Sequence, residues 1–148
     1  MSNKVLFMDI DGVVCNNNVG REDWDPVAVI MLKRAILETG VKVVISSTWR
    51  TVAHDLMMER LRDFGMENIL HKDYMTPDFR ESFGRYCRSD EIDQWLKDHP
   101  EVEEFVIVDD DLSWFDKRHF DRLVKTNFGK GFQHKDYKKV LAMMKTDR

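Results

Sequence analysis

The chain has 148 residues, a length that fits one domain with its own hydrophobic core, so we predict a single domain over residues 1–148. Hydrophobic residues make up 43% and charged residues 34% of the chain, which is typical of a soluble globular protein. The formal net charge of −4 excludes binding to nucleic acid through net charge alone, and leaves a local basic patch open. No apolar stretch approaches the roughly 20 residues that cross a membrane, so we expect no membrane association.

The sequence predicts a cytoplasmic protein. Its two cysteines, Cys15 and Cys87, are too few for a disulfide framework and suit a reducing compartment. The first residues contain no long apolar segment of the kind found in signal peptides. We expect both cysteines to act as small, partly buried hydrophobic residues.

The first predicted strand, Val5–Met8, is followed by Asp9, Ile10, Asp11 and Gly12. A continuous apolar run is typical of a strand buried on both faces of a parallel sheet, and a charged residue at its end emerges at the carboxyl edge, where open α/β sheets bind ligands. Two carboxylates so close together repel each other, and a divalent cation such as Mg²⁺ relieves that repulsion. The alternative is an ordinary polar turn, since Asp-Gly is a common turn pair.

Two further apolar strands also end in polar residues. Val41–Ile45 is followed by Ser46, Ser47, Thr48, Trp49 and Arg50, and Phe105–Val108 is followed by Asp109, Asp110 and Asp111. We predict a short strand at residues 69–70 and a weak edge strand at residues 123–124. Residues 71–87 are predicted to be irregular, and a connection of that length favours a functional loop.

Four predicted helices alternate with these strands. Asp25 and Pro26 begin the first, Ser89 or Asp90 caps the third after Arg88, and Tyr137–Met144 forms the last. The inward stripes are predicted to be Val27, Ile30, Met31, Ala35 and Leu37 in the first helix, Val52, Leu56, Met57, Leu61 and Phe64 in the second, and Ile92, Trp95 and Leu96 in the third. This alternation predicts an α/β fold with a mostly parallel sheet, whose strand ends lie along one edge.

Three strand ends therefore bring oxygen-bearing side chains to one edge: Asp9 with Asp11, Ser46, and Asp109 with Asp110. Arg88 lies before the helix that leads to the last of these strands. Together these residues supply the parts of phosphoryl transfer, which needs a nucleophile, a proton donor and acceptor, a metal, and donors for the phosphoryl oxygens.

The sequence resembles the haloacid dehalogenase (HAD) superfamily of phosphohydrolases. Its four motifs are matched in order by Asp9-Ile10-Asp11, by the strand ending in Ser46, by Arg88, and by Asp109-Asp110. The third match is the loosest, and Arg85 and Lys72 are alternatives for it. Residues 46–50 and 88–96 resemble the small HAD domains associated with RNA-repair proteins and phage genomes.

The resemblance implies a three-layer Rossmann-like fold with helices on both faces of the sheet. It implies no large cap domain, because only residues 12–45 separate Asp11 from Ser46. An open site of this kind suits a large substrate, so the implied substrate is a phosphorylated nucleotide or nucleic-acid end. We favour a monomer.

The resemblance also implies the role of each site residue. Asp9 is the expected nucleophile and Asp11 the general acid and base. Ser46 and Arg88 are expected to bind the phosphoryl oxygens. Mg²⁺ is expected on Asp9, on the main-chain carbonyl of Asp11, and on either Asp109 or Asp110, with Asp110 favoured. Ser47, Trp49 and Arg50 are candidate substrate-binding residues.

Several alternatives stay open at this point. Trp49 either stacks on a base or packs against the second helix, and Arg50 either binds a substrate phosphate or forms a surface salt bridge. The protein is alternatively a phosphatase of small phosphometabolites, a receiver-like phosphoacceptor module, or a nucleic-acid-binding module without catalysis.

Overall fold

Five parallel strands form the centre of the protein in a computed structural model, which describes residues 3–80 and 87–144. The strands are β1 (Lys4–Met8), β2 (Lys42–Ile45), β3 (Leu70–Met75), β4 (Glu104–Asp109) and β5 (Leu123–Lys125). They lie side by side in the order β3-β2-β1-β4-β5, and every neighbouring pair is parallel. The predicted parallel sheet is confirmed, with β5 at an edge as expected.

Helices cover both faces of this sheet. They are α1 (Pro26–Thr39), α2 (Trp49–Val52), α3 (His54–Asp63), α4 (Arg88–Lys97) and α5 (His134–Met144). Short 3₁₀ turns span Glu67–Ile69, Leu112–Trp114 and Lys117–Arg122. No helix in the described ranges is both long and apolar enough to cross a membrane.

The two faces of β1 show how the layers are built. Leu6 and Met8 are fully buried in a core cluster with residues of α1, α3 and α5. Val5 and Phe7 point to the other face, where they join Ile92 and Trp95 of α4. Because side chains alternate along a strand, one apolar run supplies both cores. The three-layer Rossmann-like fold is therefore confirmed, and no separate cap domain interrupts the described residues.

The predicted inward stripe of α1 is largely wrong. Val27, Ile30 and Leu37 are 69%, 64% and 67% exposed. Of the predicted set, Ala35 is buried and Met31 packs against the core, whereas the buried face consists of Ala28, Val29, Leu32, Ala35 and Ile36. Apolar residues occur on more than one face of this helix, so the pattern alone does not say which face meets the sheet. The predicted helix start is confirmed, since the carboxylate of Asp25 accepts a hydrogen bond from the backbone N–H of Val27.

The second predicted helix is divided in two. Ala53, with φ −144° and ψ 44°, separates α2 from α3, and Val52 is exposed rather than inward. Met57 and Leu61 are buried as predicted.

The predicted cap of α4 is also wrong. The helix begins at Arg88 with Cys87 as its N-cap, so Ser89 and Asp90 lie inside the first turn. The hydroxyl of Ser89 instead accepts a hydrogen bond from the backbone N–H of Asp116, at 2.8 Å. Asp116 lies 27 residues away, so a local sequence pattern cannot show that it binds the hydroxyl that a cap would use.

The segment predicted to be irregular is partly a strand. Strand β3 extends to Met75, so residues 71–75 are not loop. Its sequence is polar because it is an edge strand with partly exposed side chains, which hides the usual apolar signal. Residues 81–86 of the predicted loop, Arg85 among them, lie outside the described residues.

Candidate functional site

The ends of β1, β2 and β4 meet at one edge of the sheet. The hydrogen-bond ladder continues past the strands, since Asp9 N–H donates to Val108 O and Ser46 N–H donates to Met8 O, both at 3.0 Å. This ladder holds Asp9, Ser46 and Asp109 side by side, and all three are buried. Buried side chains in hydrogen-bonded positions are already ordered, as a chemical site requires.

Arg88 bridges the carboxylates of Asp9 and Asp109. Its Nη1 lies 2.6 Å from Asp109 Oδ2 and 3.2 Å from Asp9 Oδ1. The guanidinium reaches them from the first turn of α4 and lies 5.8 Å from the ring centre of Trp114. Of the other cations considered for this position, Lys72 is an exposed residue in edge strand β3, and Arg85 lies outside the described residues.

Gly12 lets a further carboxylate approach. Its φ is +77°, and a Cβ at this position would lie only 2.5 Å from Asp110 Cγ. Any other residue would therefore be strained and would push Asp110 away. The backbone carbonyl of Gly12 is held from the far side of the site by the Thr126 hydroxyl, which donates to it at 2.6 Å.

Crowding changes the protonation of these acids. Burial, and then the nearby carboxylate of Asp9, raises the pKa of Asp110 to about 7. Burial also raises the pKa of Asp109 well above its usual range, with Asp9 adding to the rise and Arg88 opposing it. Carboxylates that resist ionisation together favour a cation between them.

The donor set fits Mg²⁺. In the described part of the chain, carboxylate oxygens of Asp9, Asp109 and Asp110 lie within 4.8 Å of one another. Hard oxygen donors of this kind are the ligands that Mg²⁺ prefers. Asp109 is already engaged by Arg88 and by the backbone N–H of Asp111, whereas Asp110 is only half-buried and therefore the more available of the pair.

Asp11 has a different environment from Asp9. It is exposed, and its Oδ1 accepts a hydrogen bond from the indole N–H of Trp49 at 3.2 Å. Although the residue as a whole is exposed, its carboxyl group is partly buried, and this partial burial raises the pKa of Asp11. The Trp49 hydrogen bond opposes that rise, and the charge of Asp9 adds to it. Burial and the same neighbouring Asp11 raise the pKa of the Cys15 thiol to about 11, so this cysteine stays protonated.

The loop after β2 contributes Ser46, Ser47 and Trp49 to the surroundings of the site. The Trp49 ring is buried and makes an edge contact with Trp24, with ring centres 6.1 Å apart. Ser47 Oγ accepts a hydrogen bond from the Trp49 N–H at 3.2 Å. Ser46 Oγ is buried and has no hydrogen-bond partner among the described residues. An unsatisfied buried hydroxyl is costly, so this one is ready to bind a ligand oxygen.

Arg50 points away from the site. Its guanidinium donates hydrogen bonds to the carbonyls of Ser46, Ser47, Thr76 and Pro77. Its Nη2 also lies 3.0 Å from Glu91 Oε1, and both side chains are almost completely buried. Arg50 therefore ties the loop after β2 to the loop after β3 and to α4, and its guanidinium is already engaged by these buried partners rather than in a surface salt bridge.

The sequence pattern did not reveal several contributors to the site. Thr126 follows β5 as a polar strand-end residue, so the rule that found Ser46 would also have found it. The close approach of Gly12 to Asp110, and the inward orientation of Arg50, depend on contacts distant in sequence.

Comparison with protein families gives a match that spans most of the chain. The model of the HAD domain in Swiss Army Knife RNA repair proteins matches residues 5–137. The chain belongs to this family. The predicted HAD membership is thus confirmed, and it supports a phosphohydrolase-like role for this HAD domain. Comparisons with curated proteins and with solved structures find no significant match.

Arg50→Ala should strongly destabilise the HAD domain. Removing one partner of a buried ion pair costs roughly 3–5 kcal/mol, and in this variant the buried carboxylate of Glu91 loses its ion pair with Arg50. Urea unfolding measures the free energy. Arg34→Ala is the control, since Arg34 pairs with Glu38 on the exposed surface and should cause no comparable loss. Equal effects of the two substitutions would contradict the role given to Arg50.

Mg²⁺ should bind the acidic edge and raise the melting temperature of the HAD domain. A ligand that binds only the folded state stabilises it by RT ln(1 + [L]/Kd). Calorimetric titration should show a larger loss of Mg²⁺ affinity for Asp110→Asn than for Asp109→Asn. Asp55→Asn is the control, because Asp55 lies in α3 with a fully exposed side chain, outside both groups of residues that could hold a metal. Equal Kd values for the Asp109 and Asp110 variants would overturn the preference for Asp110.

Proposed function

We propose that this HAD domain is a Mg²⁺-dependent phosphohydrolase that works through an aspartyl-phosphate on Asp9. The observation that carries the proposal is the pair of contrasting carboxylates, Asp9 and Asp11. Asp9 is buried beside Arg88, whereas Asp11 is exposed beside the indole of Trp49. A nucleophile and a general acid need such different surroundings.

In the first step, a carboxylate oxygen of Asp9 attacks phosphorus and the bond to the leaving oxygen breaks. Asp11 gives its proton to that oxygen, so the leaving group departs as an alcohol. Arg88 orients the attacking carboxylate, since its Nη1 contacts Asp9 Oδ1. The same guanidinium opposes the negative charge of the phosphorylated Asp9.

In the second step, a water molecule attacks the phosphorus of the aspartyl-phosphate. Asp11, now ionised, takes a proton from that water, and the bond between phosphorus and Asp9 breaks. Phosphate leaves, and both carboxyl groups return to their starting states. The Trp49 N–H occupies Oδ1 of Asp11, so the proton travels on Oδ2 in both steps.

Other residues bind the charged groups. The hydroxyl of Ser46, which has no partner in the part of the chain that the structure describes, donates to a phosphoryl oxygen. Asp9, Asp110 and the main-chain carbonyl of Asp11 would hold Mg²⁺, while Asp109 holds Arg88. When bound, Mg²⁺ neutralises negative charge on the carboxylates and on the phosphoryl group.

The proposed substrate is a phosphate on a nucleotide or polynucleotide end. The family name refers to RNA repair proteins, and Asp11 is exposed in an edge without a separate cap domain among the described residues. Values of kcat/KM should be higher for phosphorylated oligonucleotides than for sugar phosphates. The reverse order would favour a phosphatase of small metabolites, and no turnover of an aryl phosphate with Mg²⁺ would favour a binding module.

Asp9→Asn should abolish both turnover and the phosphoenzyme. Asp11→Asn should slow both steps, but an aryl phosphate needs little protonation of its leaving oxygen, so its first step should suffer less. Phosphoenzyme should then accumulate, because hydrolysis still lacks its base. Acid quenching with a labelled aryl phosphate, followed by peptide mapping, measures this. Label on any residue other than Asp9 would refute the assignment.

Trp49→Phe should slow turnover of alkyl phosphates more than turnover of aryl phosphates. The substitution removes the N–H that orients Asp11, and we expect a loss of about tenfold in kcat for the poor leaving group, which is less than the roughly 10²–10⁴-fold that a whole general acid contributes. Trp24→Phe is the control, because Trp24 packs on Trp49 but its own indole N–H has no partner among the described residues. A similar alkyl-to-aryl ratio in both variants would show that Trp49 acts only by packing.

A further inference from the structure

A cleft of about 430 Å³ opens beside Asp11. One wall is the loop after β1, with Asn17, Val19 and Arg21, and the other carries Phe128 from the turn after β5. Its volume lies within the range of small-molecule sites. Of the residues that line the cleft, only Asp11 takes part in the proposed chemistry.

The position of the cleft says which part of a substrate enters it. Asp11 lines the cleft, and in the proposed function Asp11 gives its proton to the leaving oxygen. The group attached to that oxygen must therefore lie on the side of Asp11, away from Arg88 and Ser46. This inference rests on the proposed function and extends it to the identity of the leaving group.

The walls of the cleft are held in place by backbone hydrogen bonds. Asn17 N–H donates to Gly129 O at 2.9 Å, and Phe132 N–H donates to Val13 O at 2.8 Å. The turn itself is closed by Gly131 N–H, which donates to Asn127 O at 2.7 Å. The two walls are thus one connected unit rather than two independent loops.

The side chains that face the cleft match a nucleoside better than a bare sugar. Phe128 is 58% exposed although its turn is anchored, so an aromatic face is presented to solvent. Arg21 is exposed and forms no ion pair with any described residue, which leaves its charge available for a second phosphate. Asn17, also exposed, adds an amide that both donates and accepts hydrogen bonds.

We propose that this cleft is the leaving-group subsite and that it binds the terminal nucleoside of a polynucleotide. The base stacks on Phe128, and the next phosphodiester lies against Arg21. Stacking on an aromatic face tolerates any base, so the subsite selects for a nucleic-acid end without selecting its sequence.

The first test compares two substrates in Phe128→Ala. The probes are a dinucleotide with a terminal phosphate, assayed at each end in turn, and ribose 5-phosphate. We expect kcat/KM for the dinucleotide to fall about tenfold relative to ribose 5-phosphate, through KM, because one base–aromatic stack is lost. Phe128→Trp should restore the ratio. Equal changes for both substrates would overturn the subsite and leave the phosphohydrolase standing.

Two further variants sharpen this comparison. Phe120→Ala is the matched control, since Phe120 is also an exposed phenylalanine, at 40%. It precedes β5 and so lies toward the amino-terminal end of that strand, whereas the cleft lies at the carboxyl ends of the strands. This substitution should change neither substrate. Arg21→Ala should raise KM for the dinucleotide and flatten its dependence on salt, because one phosphate contact is lost. An unchanged salt dependence would remove Arg21 from the subsite.

The second test does not depend on turnover. Calorimetry measures the Kd of the unphosphorylated dinucleotide, the product, for the wild-type protein and for Phe128→Ala. A Kd about tenfold weaker in the variant supports the subsite even if no phosphate ester is hydrolysed, in which case only the proposed function fails. An unchanged Kd, or no binding to the wild-type protein, overturns the subsite. Urea unfolding of both proteins confirms that the variant is folded.

Discussion

The bridge that Arg88 makes between Asp9 and Asp109 is the interaction on which the rest of the acidic edge depends. Two neighbouring parallel strands, β1 and β4, bring together carboxylates that would repel each other in a low-dielectric setting. One buried guanidinium compensates two of them, and Gly12 makes room for Asp110. The sheet places the carboxylates close together, and Arg88 of α4 supplies the positive charge that offsets their repulsion.

The acidic residues at this edge are held in turn by contacts from the loop after β2. Trp49 orients Asp11 through its indole N–H, while Arg50, in the same short helix, faces the opposite way and binds four carbonyls and Glu91. Two residues adjacent in sequence thus make different contacts: Trp49 binds Asp11, and Arg50 holds the loop after β2 in place. Since Glu91 and Arg88 both belong to α4, the helix that carries the buried Arg88 guanidinium is also anchored to the loop after β2.

Much of the fold follows from the sequence because apolar runs as continuous as Val5–Met8 have few other structures open to them. Their polar ends identified Asp9, Ser46 and Asp109, because parallel strands share one carboxyl edge. The buried face of α1 did not follow, since its apolar residues surround the helix. The orientation of Arg50 and the loss of Ser89 as a cap did not follow either, because their partners lie far along the chain. Phe128 is a single aromatic residue in a turn, and no repeat or motif around it predicts that it lines a cleft.

The loop after β1 makes several hydrogen bonds to residues more than a hundred positions later, beside its many local ones. Gly12 O accepts from Thr126, and the side chain of Asn16 donates to Lys130 O, each across 114 residues. Contacts so distant in sequence form late, because the entropy of closing a long loop must be met first. On a ribosome, we therefore expect β1 and β2 to emerge well before the loop after β1 can make these contacts. That loop gains its full set of contacts only when the turn after β5 has left the exit tunnel.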